Sequence, residues 1–144
     1  MSEFTVTKVI TIPAKPHQVW RSLTDTALMP KWMSETEMTV TTDWTIGSNI
    51  IIEGRWHKMK YRNVGKVVAF DPNHVLSYSH LSSLSRLADL PENHSHLKFT
   101  FEPSGEETIL YLTISNSPTL EIHKHLDFYW NVTLQELSAF AVAL

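Results

Sequence analysis

Two histidines one residue apart, His123 and His125, are the residues of this 144-residue chain whose spacing first suggests chemistry. They stand in the stretch EIHKHLDFYW, which also holds Asp127 and three aromatic residues. A histidine pair can bind a metal ion, and a histidine beside a carboxylate can act as a base. On an α-helix, positions i and i+2 lie about 200° apart, so these two rings point in opposite directions. The spacing therefore excludes a metal ion shared by this pair.

His123 falls on the apolar side of the predicted helix, and His125 falls on the opposite side, where we expect it to be solvated. Asp127 lies one turn after His123 and could accept a hydrogen bond from its ring. Three interpretations of His123 stay open: a core histidine satisfied by a neighbour, a polar group facing a ligand cavity, or a catalytic base. The apolar stripe that includes His123 is predicted to be buried and consists of Leu126, Trp130, Leu134, Leu137 and Ala141.

Two predicted strands carry the other histidines of interest. His94 and His96 share one face of a strand, the wetter one, but no third ligand can be placed beside them, and the sequence predicts no metal site. Tyr78 and His80 share a face with Leu76. If that face is concave, both residues place polar tips in an apolar cavity; His80 could equally lie at a wet rim.

Nothing else in the chain favours catalysis. The sequence has no G-x-S-x-G, P-loop, G-x-G-x-x-G or H-E-x-x-H motif, and no pair of carboxylates suited to acid–base work. Glu53 is mid-strand and could be buried with Arg55 or exposed. We therefore predict no catalytic residues and no cofactor, and binding is favoured over enzymatic activity.

Composition excludes several other classes. The net charge of −3 and the lack of a basic surplus argue against nucleic acid, and the absence of cysteine excludes disulfides. No signal peptide or membrane span is predicted, so we expect a cytoplasmic protein forming one domain over residues 1–144. Four Gly against five Trp indicate large side chains that fill a core or line a pocket.

The predicted elements run in the order strand, two short helices, about six further strands and a long helix. The first strand spans Phe4 to Ile12, and the last helix runs from Thr119 to near Leu144. Short turns between strands imply an antiparallel sheet, and only the last helix is long enough to cover it. The fold is therefore predicted to be α+β, with a curved sheet around one helix. The exposed Phe128 and Val132 on that helix would suit a homodimer contact.

The order and spacing of these segments resemble a known family. They are IPAKPHQVWRSLTD, MPKWM, DWTIGSNI, EGRWHKMKYRNVGKVVAFDPNHVLSYSH, LPENHSHLKFTFEPSGEETILYLTISN and HKHLDFYWNVTLQEL. Nearly the whole chain is similar to the SRPBCC (START-like, helix-grip) superfamily, within it to the group named for the activator of the 90-kDa heat-shock protein ATPase. One departure is the turn after Trp56, where the family often has Gly and this chain has His57 to Met59.

The resemblance implies a helix-grip fold whose cavity, between sheet and helix, takes an apolar or amphipathic small molecule. It implies that Trp32 lies near the cavity mouth. Together with the residues above, the predicted ligand-binding set is Trp32, Trp56, Tyr78, His80, Phe99, His123, Leu126 and Trp130. Two alternatives are a module that regulates a chaperone, and an enzyme, such as a hydrolase or cyclase, with His123 as its base. Co-chaperones of the group carry a further N-terminal domain, so we expect small-molecule binding instead.

Overall fold

A seven-stranded antiparallel sheet forms one layer of the computed structural model, which describes residues 4–144. Its strands are β1 (Val6–Ile12), β2 (Met38–Thr41), β3 (Asn49–Trp56), β4 (Met59–Asp71), β5 (Val75–Ser82), β6 (Ser95–Ser104) and β7 (Glu107–Ser115). Their order is β1-β7-β6-β5-β4-β3-β2, so each strand from β2 to β7 pairs with its neighbours in sequence. Short turns join these neighbours except between β2 and β3 and between β5 and β6, where the connections are longer, and β1 forms the far edge of the sheet against β7.

Three α-helices complete the fold of residues 4–144: α1 (Pro16–Thr24), α2 (Met29–Met33) and α3 (Leu120–Ala143). Thr119 caps α3 by accepting a hydrogen bond from the Ile122 backbone N–H at 3.2 Å. The predicted stripe of α3 is buried against the sheet, where the Trp130 ring meets the Phe99 ring edge-on at 5.5 Å. The α+β helix-grip fold, its two short helices and its long closing helix are thus confirmed.

The pairing of β4 with β5 is irregular at one point. The register slips between Val67 and Ala69, which is a β-bulge, and bulges increase the local twist. Next to the bulge the Lys66 N–H donates to Ser79 Oγ at 2.9 Å instead of to a backbone carbonyl. A Cβ on Gly65 would lie 2.6 Å from the Ser79 carbonyl carbon and still closer to its oxygen. Only glycine allows the two strands to approach this closely.

The turn between β3 and β4 is made by His57 and Lys58, with Trp56 paired to Met59 across it. His57 has a φ of 58°, in the left-handed region that glycine occupies without strain. We expect His57→Gly to stabilise the fold by about 0.5 kcal/mol, because relief of strain slightly exceeds the added entropy of the unfolded chain. Lys58→Gly relieves no such strain and should destabilise. Urea denaturation of both variants measures the difference, and equal effects would contradict this account of the turn.

Candidate functional site

A cavity of about 270 Å3 lies between the concave face of the sheet, α2 and the N-terminal half of α3. We call it the aromatic cavity, because Trp56, Tyr61, Tyr78, Tyr129 and Trp130 contribute to its wall. The remaining apolar side chains of the wall come from the sheet, from α2 and α3 and from the segment that follows β5: Met33, Met38, Ile52, Leu84, Leu97 and Leu126. Large apolar and aromatic side chains with a few polar groups are the usual lining of a small-molecule site.

A second cavity of about 280 Å3 adjoins the aromatic cavity. It is bordered by segment 83–93, which follows β5, and by the start of α3 through Glu121 and Ile122. The residues common to both walls are Asn63, His80, Ser82, Leu84, His125 and Leu126. Four of these six are polar, so the place where the two cavities meet is the polar part of an otherwise apolar space.

Several polar groups in the wall lack protein partners. Within residues 4–144, no hydrogen bond is made by the Tyr78 hydroxyl or by the rings of His80 and His125, and Asn63 Oδ1 is buried without a partner. Tyr78 is only 2% exposed and His80 is half-buried, whereas His125 is exposed at the edge of the wall. Buried polar groups normally find a partner, and leaving one unsatisfied costs about 1–3 kcal/mol. These groups are therefore available to a bound molecule.

Burial keeps His80, Tyr78 and Tyr129 of the wall uncharged near neutral pH. Burial lowers the pKa of His80 to about 4, and the nearby rings of His125 and His94 lower it further. Burial raises the pKa of the Tyr78 phenol, and it raises the pKa of Tyr129 to about 12. The Tyr129 hydroxyl donates to the Met33 carbonyl at 2.6 Å, which ties α3 to α2 at the cavity wall. Arg55 is the charged residue of the lining of the aromatic cavity, and it is exposed at the mouth.

Five of the predicted site residues line the aromatic cavity: Trp56, Tyr78, His80, Leu126 and Trp130. Trp32 and Phe99 lie behind the wall in the core. The Trp32 indole N–H donates to the Ser22 carbonyl at 2.9 Å, and both rings pack on Trp130. Their part in the site is to hold Trp130 in place.

His123 requires a correction, because it lines neither cavity. Its ring stacks on Phe4 at 5.6 Å, and Nδ1 is buried without a partner among residues 4–144. Asp127 does not accept from His123 but pairs with Lys8 of β1. His125 is exposed, as expected, and it also borders both cavities. The buried stripe has two flanks: one faces β1, and the other, with His125 and Tyr129, faces the open space.

The structure also corrects the placement of His94. It precedes β6, and its buried ring lies between Ser79 Oγ at 2.9 Å from Nδ1 and Asp89 Oδ1 at 2.6 Å from Nε2. Ser, His and Asp in this order resemble a hydrolase triad. But Ser79 is 7% exposed, its Oγ already accepts from the Lys66 N–H, and neither cavity is lined by Ser79 or His94. The array fastens segment 83–93 to β5.

Other arrangements suggested by the sequence are less informative. Within residues 4–144 no three His, Cys, Asp or Glu side chains are grouped so that they could hold a metal ion. Glu53 is exposed and lies 3.9 Å from Arg62 rather than beside Arg55. None of the helices in the described part of the chain is long and apolar enough to cross a membrane.

Phe128 is 71% exposed and Val132 is exposed as well; a homodimer contact through them stays a prediction.

Tyr61, Asn63, Tyr129 and His125 belong to the cavity wall but were absent from the predicted set. A signal for the first two was available. Trp56 pairs with Met59 across the hairpin, and alternation then places Tyr61 and Asn63 on the same face as Trp56. No comparable signal marks Ser79 or Asp89, since the contact depends on how segment 83–93 folds.

Solved structures with the same architecture are numerous. A solution structure of a protein from Cytophaga hutchinsonii is 29% identical, with a TM-score of 0.80 over 97% of this chain and 94% of that chain. A crystal structure from Chromobacterium violaceum is 18% identical, with a TM-score of 0.82 over 95% and 96%. A solution structure from Arthrobacter aurescens is 14% identical, with a TM-score of 0.81 over 98% and 87%. The last two show the fold alone.

No curated protein matches the chain. The family model described as "Activator of Hsp90 ATPase homolog 1-like protein" matches residues 13–141, which include nearly all of α3 and every strand of the sheet except β1. The match therefore spans the whole cavity wall, and the chain belongs to the family of activator of Hsp90 ATPase homolog 1-like proteins.

Proposed function

We propose that this protein binds an apolar or amphipathic small molecule in the aromatic cavity. The observation that carries the proposal is the combination of an aromatic wall with polar groups that make no hydrogen bond within residues 4–144: the buried Tyr78 hydroxyl, the half-buried His80 ring and Asn63 Oδ1. In a close-packed core such polar groups would have hydrogen-bond partners or would be replaced by apolar side chains. A ligand would satisfy them.

The wall also indicates the shape and polarity of the ligand. Its apolar part would lie against Trp130, Tyr78 and Leu97, where the cavity is deepest in the core. Its polar part would meet His80 and His125 at the junction of the two cavities. Because His80 is neutral above a pKa of about 4, we expect hydrogen bonding to a hydroxyl, carbonyl or amide group rather than pairing with a carboxylate.

A volume of about 270 Å3 is near the lower end of small-molecule sites, so a ligand the size of one ring system or a short acyl chain would fit. The adjoining second cavity would extend this space along α3. Regulation of a chaperone is the second function that the family suggests. It rests on that relationship, whereas the unpartnered polar groups favour ligand binding.

A matched pair of tryptophan variants on α3 would test the proposal. Leu126→Trp places a large ring into a wall shared by both cavities, whereas Phe128→Trp places the same ring on the solvent side two residues later. NMR shifts of the wild-type amides would be recorded with a library of lipids and aromatic compounds. We expect shifts at Tyr78, Leu97 and Trp130, preserved in Phe128→Trp and reduced at least about tenfold in apparent affinity in Leu126→Trp.

Circular dichroism would establish that both variants are folded. If no compound of the library shifts a cavity residue of the wild-type protein, the proposal fails. Equal binding by the two variants would place the ligand somewhere other than the aromatic cavity.

A further inference from the structure

The β3–β4 hairpin exposes apolar side chains at the mouth of the aromatic cavity. Trp56 is 60% exposed and Met59 is 52% exposed, and the two residues face each other across the turn. Trp56 also lines the cavity. Single exposed apolar residues are common, but a Trp and a Met together at the end of a hairpin form a protruding apolar tip. We call residues 55–62 the hairpin tip.

A second apolar element lies beside the hairpin tip. Ser83 Oγ accepts a hydrogen bond from the Arg62 N–H at 2.9 Å, which fastens the start of segment 83–93 next to β4. In this segment Leu84 is exposed and lines both cavities, and Leu87 and Leu90 are exposed too. Apolar side chains are therefore presented by both elements that border the opening.

The charges of the hairpin tip are all of one sign. Four of the twelve Lys and Arg residues of the chain fall in its eight residues, which include no acidic residue, although the net charge of the chain is −3. Of these four, only Arg62 has an acidic partner within residues 4–144. Arg55 and Lys60 lie directly opposite each other in the hairpin, and like charges so placed are destabilising. An anionic surface would offset this repulsion.

We propose that the hairpin tip docks on the surface of an anionic lipid bilayer, with Trp56 and Met59 in the interface and the basic side chains at the headgroups. Tryptophan is favoured at the membrane interface, where its ring is apolar and its N–H remains wet. Each basic residue near an anionic membrane adds about 1 kcal/mol of attraction. The contact would bring the mouth of the aromatic cavity to the membrane.

The local geometry favours a bilayer over an acidic protein as the partner. Stable protein–protein contacts need roughly 800 Å2 per partner, with a packed apolar centre. The hairpin tip is a narrow projection with one Trp and one Met, which suits shallow insertion between headgroups. Docking goes beyond ligand binding in the cavity and does not require it, because the residues that touch the bilayer are already exposed.

Co-sedimentation of the full chain with vesicles would test the proposal. We expect binding to vesicles of phosphatidylcholine mixed with phosphatidylglycerol, and much weaker binding to phosphatidylcholine alone. Binding should fall steeply in about 1 M salt, where charges are screened beyond about 3 Å. Replacing both Lys58 and Lys60 by Glu should weaken binding about 30-fold or more, since each lysine contributes about fivefold.

The matched control replaces Lys66 and Lys98 by Glu, which changes the net charge equally on the outer face of the sheet, away from the mouth. This control should bind at most a few-fold more weakly than the wild type. Brominated lipids should quench tryptophan fluorescence in the wild type and not in Trp56→Phe, because Trp32 and Trp130 are buried and the half-buried Trp20 and Trp44 line neither cavity.

Three results would overturn docking on lipid. One is no binding to anionic vesicles at low salt. Another is equal loss in the two double variants, which would reduce the effect to net charge. The third is binding to soluble polyglutamate as tight as to vesicles, without lipid quenching, which would indicate an acidic macromolecule instead. None of these depends on whether a ligand occupies the aromatic cavity, so docking and ligand binding can fail separately.

Discussion

Gly65→Ala should lower the free energy of unfolding by about 3–5 kcal/mol, the largest effect we expect from any single substitution in this chain. The added Cβ would lie 2.6 Å from the Ser79 carbonyl carbon and closer still to its oxygen. Both atoms belong to the backbone of β5, so no side chain can rotate to make room. Relief requires β4 and β5 to separate, which also breaks the bond from the Lys66 N–H to Ser79 Oγ.

Gly105→Ala is the matched control for this substitution. Gly105 has a φ of 62°, and a Cβ there would meet no atom within 4 Å. The change therefore adds only left-handed strain, about 1 kcal/mol, with no clash. Urea denaturation of both variants at neutral pH measures the two costs. If both variants lost the same free energy of unfolding, β4 and β5 could separate at Gly65 without penalty, and this account of their close approach would be wrong.

The close approach of β4 and β5 at Gly65 matters to the site because Asn63 of β4 and His80 of β5 lie next to it. Asn63 of β4 and His80 of β5 belong to the polar junction of the two cavities. Their separation is set by how closely the strands approach at Gly65 and by the bulge that follows. A Gly65→Ala protein that remains folded at low temperature should therefore show weaker ligand binding than Gly105→Ala.

Sequence patterns predicted the fold well and the site less well, and α3 shows why. Periodicity identifies a buried stripe, because the sheet buries whatever apolar side the helix offers. It does not say which flank of the stripe packs on β1 and which is left facing a space. His123 was therefore assigned to the cavity wall, and His125, which is exposed as expected, was not recognised as a border of the cavity, although Trp130 and Leu126 were placed on the wall.

The contact of Ser79 with His94 and Asp89 illustrates a second limit. Alternation in β5 places Tyr78 and His80 on one face and Ser79 on the other, and the structure agrees. What covers Ser79 depends on segment 83–93, whose two single turns of 3-10 helix, Ser83–Ser85 and Pro91–Asn93, have no apolar period that a sequence pattern could reveal. Non-local contacts of a loop follow from the finished fold, so such a segment could be marked only as a candidate border of the site.

His80 should make the protein lose stability in mild acid. Burial lowers its pKa in the folded state from 6.5 to about 4, with His125 and His94 contributing. Between those two pH values the unfolded chain binds a proton at His80 and the folded chain does not, so protonation favours unfolding. The stability from this residue is fully present above about pH 6.5 and is lost progressively as the pH falls to about 4. A shift of this size corresponds to about 3 kcal/mol.

His80→Gln should remove most of this slope, because glutamine keeps a polar group in the wall but cannot titrate. A smaller slope of the same sign should remain from His96, whose pKa is lowered by burial and by His94. His17→Gln, at an exposed position of α1, is the control and should keep the wild-type slope. Urea denaturation between about pH 7 and pH 4 gives the comparison. Parallel curves for all three proteins would show that His80 is as well hydrated as His17, and the polar junction would then be too wet to select a ligand by hydrogen bonds.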